Sequence, residues 1–131
     1  MRASLFFFAL AFLVLTGCAA TQENAGGAKL LRPGEFSQII QGKEVFVIDT
    51  HIPEQEHILG TDVVIPYNRL EEGRGSLPED KDTPIAVYCR SGSMSAEAAG
   101  TLREMGYTTI YDLEGGVNAW REAGLPFEVN T

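Results

Sequence analysis

The stretch Ile85-Ala86-Val87-Tyr88-Cys89-Arg90-Ser91-Gly92-Ser93-Met94-Ser95 decides the fold. Its first four residues form a continuous apolar run, the mark of a strand buried on both faces. The pattern that follows is alanine-rich and places Ala98, Leu102 and Met105 on one face. It predicts a helix over 93–105, stopped at Gly106. Cys89 therefore stands where a buried strand turns into a helix. Backbone N–H groups surround a sulfur in such a place, and the helix N-terminus adds partial positive charge. Both favour thiolate over thiol and both cradle an anion, so a nucleophile and an anionic substrate can share one site.

Working outward, Pro33-Gly34-Glu35 opens a short helix with Phe36, Ile39 and Ile40 on one face, ending at Gly42. The apolar run Val45 to Ile48 predicts a second buried strand. Asp62 to Tyr67 predicts another, closed by Pro66. Glu71 to Pro84 reads as a polar loop with a helical turn before Gly73, and its acids Glu71, Glu72, Glu79 and Asp80 as solvated surface. Thr108 to Leu113 predicts a further strand. Val117 to Glu122 predicts a last helix, carrying Trp120 and stopped at Gly124. Strands alternating with helices argue for an α/β fold with a mainly parallel sheet flanked by helices. Ligands of such sheets sit at the carboxyl ends of strands, which is where Cys89 lies.

The 131 residues amount to one domain's worth of chain. Met1-Arg2 followed by the apolar run Ala3 to Leu15 reads as a secretory signal peptide over 1–17, too short for a comfortable membrane span. Its close, Leu15-Thr16-Gly17-Cys18, resembles the bacterial lipoprotein box. That resemblance implies a lipid on Cys18, cleavage before it, and an extracytoplasmic protein anchored at the outer membrane or cell-membrane periphery, facing the periplasm. Loss of the single cation Arg2 would move the net charge from −8 to −9. An acidic surface argues against nucleic acid as a partner, so the membrane would be reached through the lipid. Residues 18–29 read as the lipidated cysteine and a flexible tether, and 30–131 as the domain. Fully extended, the tether would hold the domain on the order of 35–40 Å from the bilayer. With Cys18 lipidated, Cys89 is the only free thiol and has no disulfide partner.

Four segments resemble the single-domain rhodanese family. Val47-Ile48-Asp49 is similar to its opening strand and aspartate. His57-Ile58-Leu59-Gly60 with Ile65-Pro66 is similar to its His-Ile-x-Gly-Ala and Ile-Pro stretch. Val87 to Ser95 resembles its active-site loop, and Leu113-Glu114-Gly115-Gly116-Val117-Asn118-Ala119-Trp120 its closing motif. The resemblance covers roughly Leu30 to Glu128. It implies a sulfurtransferase without cofactor. Cys89 would take a sulfane sulfur from thiosulfate or a persulfide and pass it to a thiol or another thiophile. Arg90, Ser91, Gly92, Ser93, Met94 and Ser95 would hold the substrate, largely through their amides. The family often has a basic residue where Met94 stands, and Arg after the aspartate where Thr50-His51 stand. Thr61-Asp62 replaces a small residue. Related phosphatases place an arginine six positions after the cysteine; Ser95 occupies that place, and phosphoryl transfer lacks its cation fork. A non-catalytic rhodanese-like binding module, tethered to the membrane, is the alternative.

The individual side chains leave choices open. Arg90 either faces the pocket or pairs with an acid beside it. Gly92 gives a tight turn that a Cβ would obstruct. Ser95 either donates to the sulfur or caps the helix, with the cap favoured. Met94 is either a wall of the site or packing. Asp49 ties loops together rather than acting as acid or base. His51, nearer to Asp49 in sequence, is the better candidate for pocket chemistry than His57. The two histidines form no visible metal cluster. Gly115, Gly116 and Trp120 read as turn and core. Nothing in the sequence indicates an obligate oligomer.

Overall fold

A computed structural model describes residue 17 and residues 20–129. Cys18 and the apolar stretch over 1–16 lie outside the described residues. Five strands form one sheet: β1 (Lys29–Leu31), β2 (Phe46–Asp49), β3 (Val63–Val64), β4 (Ile85–Tyr88) and β5 (Ile110–Leu113). Their order is β1-β5-β4-β2-β3 and every pairing is parallel. The helices are α1 (Pro33–Gln41), α2 (Ser93–Glu104) and α3 (Gly116–Glu122). This is the α/β arrangement of a parallel sheet flanked by helices that the sequence pattern predicts.

The central strand shows why. Every residue of β4 is buried, and its side chains alternate between two cores. Ile85 and Val87 pack with Ile48, Ile110 and the α2 residues Ala98, Ala99 and Leu102. Ala86 and Tyr88 pack with Val47, Leu113, the α1 residues Phe36 and Ile40, and Val117 and Trp120 of α3. Phe36 meets Tyr88 and Trp120 edge-on, with ring centroids 6.4 and 6.2 Å away. Pro33 sits in the first turn of α1, and Glu35 reaches back to accept from Arg32 N at 3.0 Å. The strand expected over 62–67 shrinks to two residues. The chain still follows β2 as far as Tyr67, whose N–H donates to Thr50 O at 2.9 Å. Pro66 falls between two donors of this edge segment, Ile65 N to Asp49 O at 3.0 Å and Tyr67 N, where its missing N–H costs the sheet no bond. The helical turn expected before Gly73 is present, closed by Gly73 N donating to Arg69 O at 3.0 Å, and a further turn follows at Arg74–Ser76.

The largest departure is at the start. Composition assigns 18–29 to a tether, yet the chain is built onto the domain from Gln22. Leu30 N donates to Gln22 O at 2.8 Å, and Ala28 is fully buried. Asn24 organises the segment. Its Oδ1 accepts from Gly26 N at 2.9 Å and Ala28 N at 3.0 Å, and its Nδ2 donates to Asp112 Oδ2 at 2.6 Å. Arg103 of α2 donates to Gly27 O. The polar, small residues that look like linker are therefore a loop closed by hydrogen bonds, and β1 follows directly. Asn24→Ala removes these three bonds and strips the Asp112 carboxylate of its amide donor. The expected cost in urea unfolding is about 2–3 kcal/mol. A variant as stable as wild type would mean the segment is not part of the fold.

Candidate active site

Parallel strands end together, and β2 and β4 deliver two of the singled-out residues to one edge of the sheet. Asp49 pairs with Tyr88 in register, and Cys89 follows Tyr88. Gly92 has φ +119°, in the left-handed region, and this turns the chain from β4 into α2. No atom within 4 Å would meet a Cβ there, so the backbone conformation, not crowding, demands glycine. The turn brings Gly92 N to 3.0 Å from Cys89 Sγ. The Ser95 hydroxyl lies 3.4 Å from the same sulfur and donates to Gly92 O at 3.1 Å. The helix N-cap is Gly92, with no side-chain cap bond. Ser95 is thus a neighbour of the sulfur and not the cap that its sequence position favours.

The floor and roof of the site differ sharply in exposure. Cys89 is 1% exposed, whereas Arg90, Ser91 and Ser93 are exposed and Gly92 and Met94 half-buried. Among the described residues Arg90 forms no ion pair. The backbone of the 90–94 loop is buttressed from behind. Val117 N donates to Cys89 O at 2.9 Å and Asn118 N to Arg90 O at 3.1 Å, so the start of α3 holds the peptide units that follow Cys89 and Arg90. Gly115-Gly116, read from sequence as a turn, fixes that start.

Asp49 is fully buried and binds loops, as expected. Its carboxylate accepts from His51 N at 3.0 Å, from Gln55 Nε2 at 3.1 and 3.3 Å, and pairs with His57 Nδ1 at 2.8 Å. Of the two histidines it is the His57 ring that meets Asp49. The His51 ring turns to Pro53 O at 2.6 Å, while His57 lies between Asp49 and Glu54. Proximity in sequence favours His51, but a side chain two residues on points away from the strand end. Tyr88 completes this corner. Its hydroxyl accepts from Ile58 N at 3.0 Å and lies 2.7 Å from Thr61 Oγ1. Burial, with the Asp49 charge, pushes the phenol well above its usual range, so it stays protonated.

Burial of the His57 ring opposes its charge, but hydrogen bonds to Asp49 and Glu54 and the charge of Asp49 outweigh it and raise its pKa. A raised folded pKa stabilises the fold fully below the unfolded value of about 6.5, and the contribution is lost as pH rises through the folded value. The melting-temperature gap between wild type and His57→Gln should therefore narrow from about pH 6 to pH 8. A gap that does not change with pH would contradict the charged pairing.

Three participants escaped the sequence reading: His57 as the partner of Asp49, Asn24, and Asp112 on β5. Asp112 carried a signal. It shares a sheet face with Ile110 in a buried strand, where an acid is out of place unless it has a partner. Among the described residues, no group of three or more His, Cys, Asp or Glu is arranged to hold a metal ion.

The sequence profile of the rhodanese-like domain matches residues 32–123. Protein slr1261 of Synechocystis is 34% identical over 112 residues, covering 82% of this chain and 58% of that one. This chain thus spans little more than half of that relative's length. Thiosulfate sulfurtransferase PspE of Escherichia coli is 37% identical over 71 residues, covering 52% of this chain and 67% of that one. The crystal structure of a rhodanese-related protein from Thermoplasma volcanium superposes with a TM-score of 0.65 at 29% identity, covering 76% of this chain and 97% of that one. With the profile spanning the sheet from α1 to α3 and the same architecture in a solved relative, the chain belongs to the rhodanese-like domain family.

Proposed function

We propose that this domain moves a sulfane sulfur from a small donor to a thiophilic acceptor through a persulfide on Cys89. One observation carries the reading: the Cys89 sulfur sits at the start of α2 with an amide N–H at 3.0 Å and a hydroxyl at 3.4 Å. Donors so placed oppose the charge of a sulfur anion without having to reorganise. In the first step the Cys89 thiolate attacks the outer sulfur of thiosulfate. A Cys89–S bond forms, the donor's S–S bond breaks, and sulfite leaves with the electron pair. In the second step a thiolate or cyanide attacks the outer sulfur of the persulfide, and Cys89 departs as thiolate. A persulfide donor enters the same sequence with a thiolate as leaving group. Arg90, exposed and without an ion pair among the described residues, is available to an anionic donor. Ser91 and Ser93 contribute chiefly backbone, and Met94 forms an uncharged part of the rim.

The same reading extends to place. Cys18 carries a lipid, and the domain works outside the cytoplasm on the membrane periphery. Because the fold begins at Gln22, only Cys18 to Thr21 separate lipid from domain, so the domain lies close against the bilayer.

One observation favours a second reading, a binding module without turnover: Cys89 is 1% exposed. Turnover of thiosulfate, and of a glutathione persulfide, into cyanide decides between them. The sulfur-transfer reading expects thiocyanate from at least one donor. No product from either, together with a Cys89→Ala chain that complements a deletion as well as wild type, establishes the binding module.

A further inference from the structure

Thr50 follows β2 and is fully buried. Its N–H donates to Tyr88 O at 2.9 Å and continues the ladder between β2 and β4. Its Oγ1 donates to the same oxygen, also at 2.9 Å. The ladder does not need this second bond, and a valine of nearly the same shape would fill the space. A buried hydroxyl is costlier to place than a methyl, so the acceptor it is given calls for a reason. That acceptor belongs to the peptide joining Tyr88 to Cys89. A carbonyl oxygen has two lone pairs, and Thr50 supplies a donor for each.

We propose that Thr50 is a positioning residue: its hydroxyl fixes the Tyr88–Cys89 peptide plane and so holds Cys89 Sγ against Gly92 N. The proposal rests on Cys89 being the nucleophile. Two peptide planes meet at the Cys89 Cα, and their rotations set where the side chain starts. The plane after Cys89 is held by Val117 N, which donates to Cys89 O at 2.9 Å. The plane before it is held by Thr50, through main chain and side chain together. Among the described residues, no other side chain donates to either carbonyl. One ladder bond leaves a plane free to tilt about that bond, and a second donor from another direction removes the tilt. Sγ lies 3.0 Å from Gly92 N, so a tilt carries the sulfur off its donor.

Thr50 is itself held. Its carbonyl accepts from Tyr67 N at 2.9 Å, and the next amide, His51 N, donates to the buried Asp49 carboxylate at 3.0 Å. The hydroxyl therefore approaches Tyr88 O from a fixed strand end. Tyr88 is gripped at its other end as well, where Ile58 N donates to the phenol oxygen at 3.0 Å. Being fully buried, Thr50 meets no donor or acceptor molecule and acts on rate through the place of the sulfur. Donors fixed in advance lower a barrier without reorganising, and small displacements of a reacting atom are expensive.

Thr50→Val removes the hydroxyl and keeps the shape, whereas Thr50→Ser keeps the hydroxyl. In sulfur transfer from thiosulfate or glutathione persulfide to cyanide by the full chain, kcat of Thr50→Val should fall about 5–20-fold with KM unchanged, while Thr50→Ser stays within about twofold of wild type. A second readout needs no sulfur donor. The Gly92 amide proton reports its bond to Sγ in the NMR spectrum. Its resonance should move upfield in Thr50→Val and hold the wild-type position in Thr50→Ser. A folded Thr50→Val chain with the wild-type Gly92 resonance overturns the proposal. Should Thr50→Val not fold, Thr50→Ala and Thr50→Ser differ by the hydroxyl alone, and equal Gly92 resonances in those two overturn it. A shifted resonance in a protein whose wild type transfers no sulfur keeps Thr50's role and rejects the reaction; wild-type turnover with an unshifted resonance does the reverse.

Discussion

Cys89→Ala is expected to abolish the proposed sulfur transfer and to leave the fold standing. Nucleophile removal in enzymes that form covalent intermediates costs on the order of 10⁴-fold or more, which here means background. Nothing else at the site takes its place. The Ser95 hydroxyl is a poor nucleophile at neutral pH, and the remaining loop residues offer amides, Arg90 and the Met94 thioether. The structural cost is small by comparison. Removing one buried sulfur from a well-packed strand end costs roughly 1–2 kcal/mol. Turnover and thermal unfolding measured on the same preparation separate the two effects. A Cys89→Ala chain that still delivers sulfur would remove the persulfide from the mechanism.

Gly116→Ala is expected to be the most damaging single change outside the nucleophile. Gly116 has φ +57°, a conformation that already disfavours a side chain. A Cβ there would lie 2.5 Å from the Arg90 carbonyl carbon and 2.6 Å from its oxygen, and closer still to Cys89 O. All three are backbone atoms of Cys89 and Arg90 and have no flexible end to yield. The same start of α3 holds those carbonyls through Val117 N and Asn118 N. Strain and overpacking together cost about 3–4 kcal/mol. The substitution also displaces Cys89 relative to Gly92 N, so persulfide yield should drop even under conditions where the variant is folded. Urea unfolding and persulfide yield at low temperature measure the two losses. A variant with near-wild-type stability and yield would contradict the buttress.

The central strand and the loop after it were legible because their signals are local. Ile85 to Tyr88 is a strand with the bounds the apolar run gives, and α2 begins at Ser93 as expected. The rest depended on partners far along the chain. The three residues of β1 are too few for a period, and they pair with Tyr111, Asp112 and Leu113 about 80 positions later. Asn24 and Gly26 have a linker's composition, yet a side-chain amide reaching Asp112 makes them structure. His57 displaced His51 because ring direction, invisible in sequence, decides which imidazole meets Asp49. Asp112 was legible in part: the acid on a buried strand face was visible, but its partner Asn24 comes from the N-terminal loop 88 positions earlier.

The account turns on sulfur carried by Cys89, and the mass of the protein after incubation with a donor tests it most directly. Thiosulfate or glutathione persulfide should add one sulfur atom, located on the peptide containing Cys89 and removed by cyanide. A chain whose Cys89 alkylates readily, yet gains no mass from either donor, would contradict it.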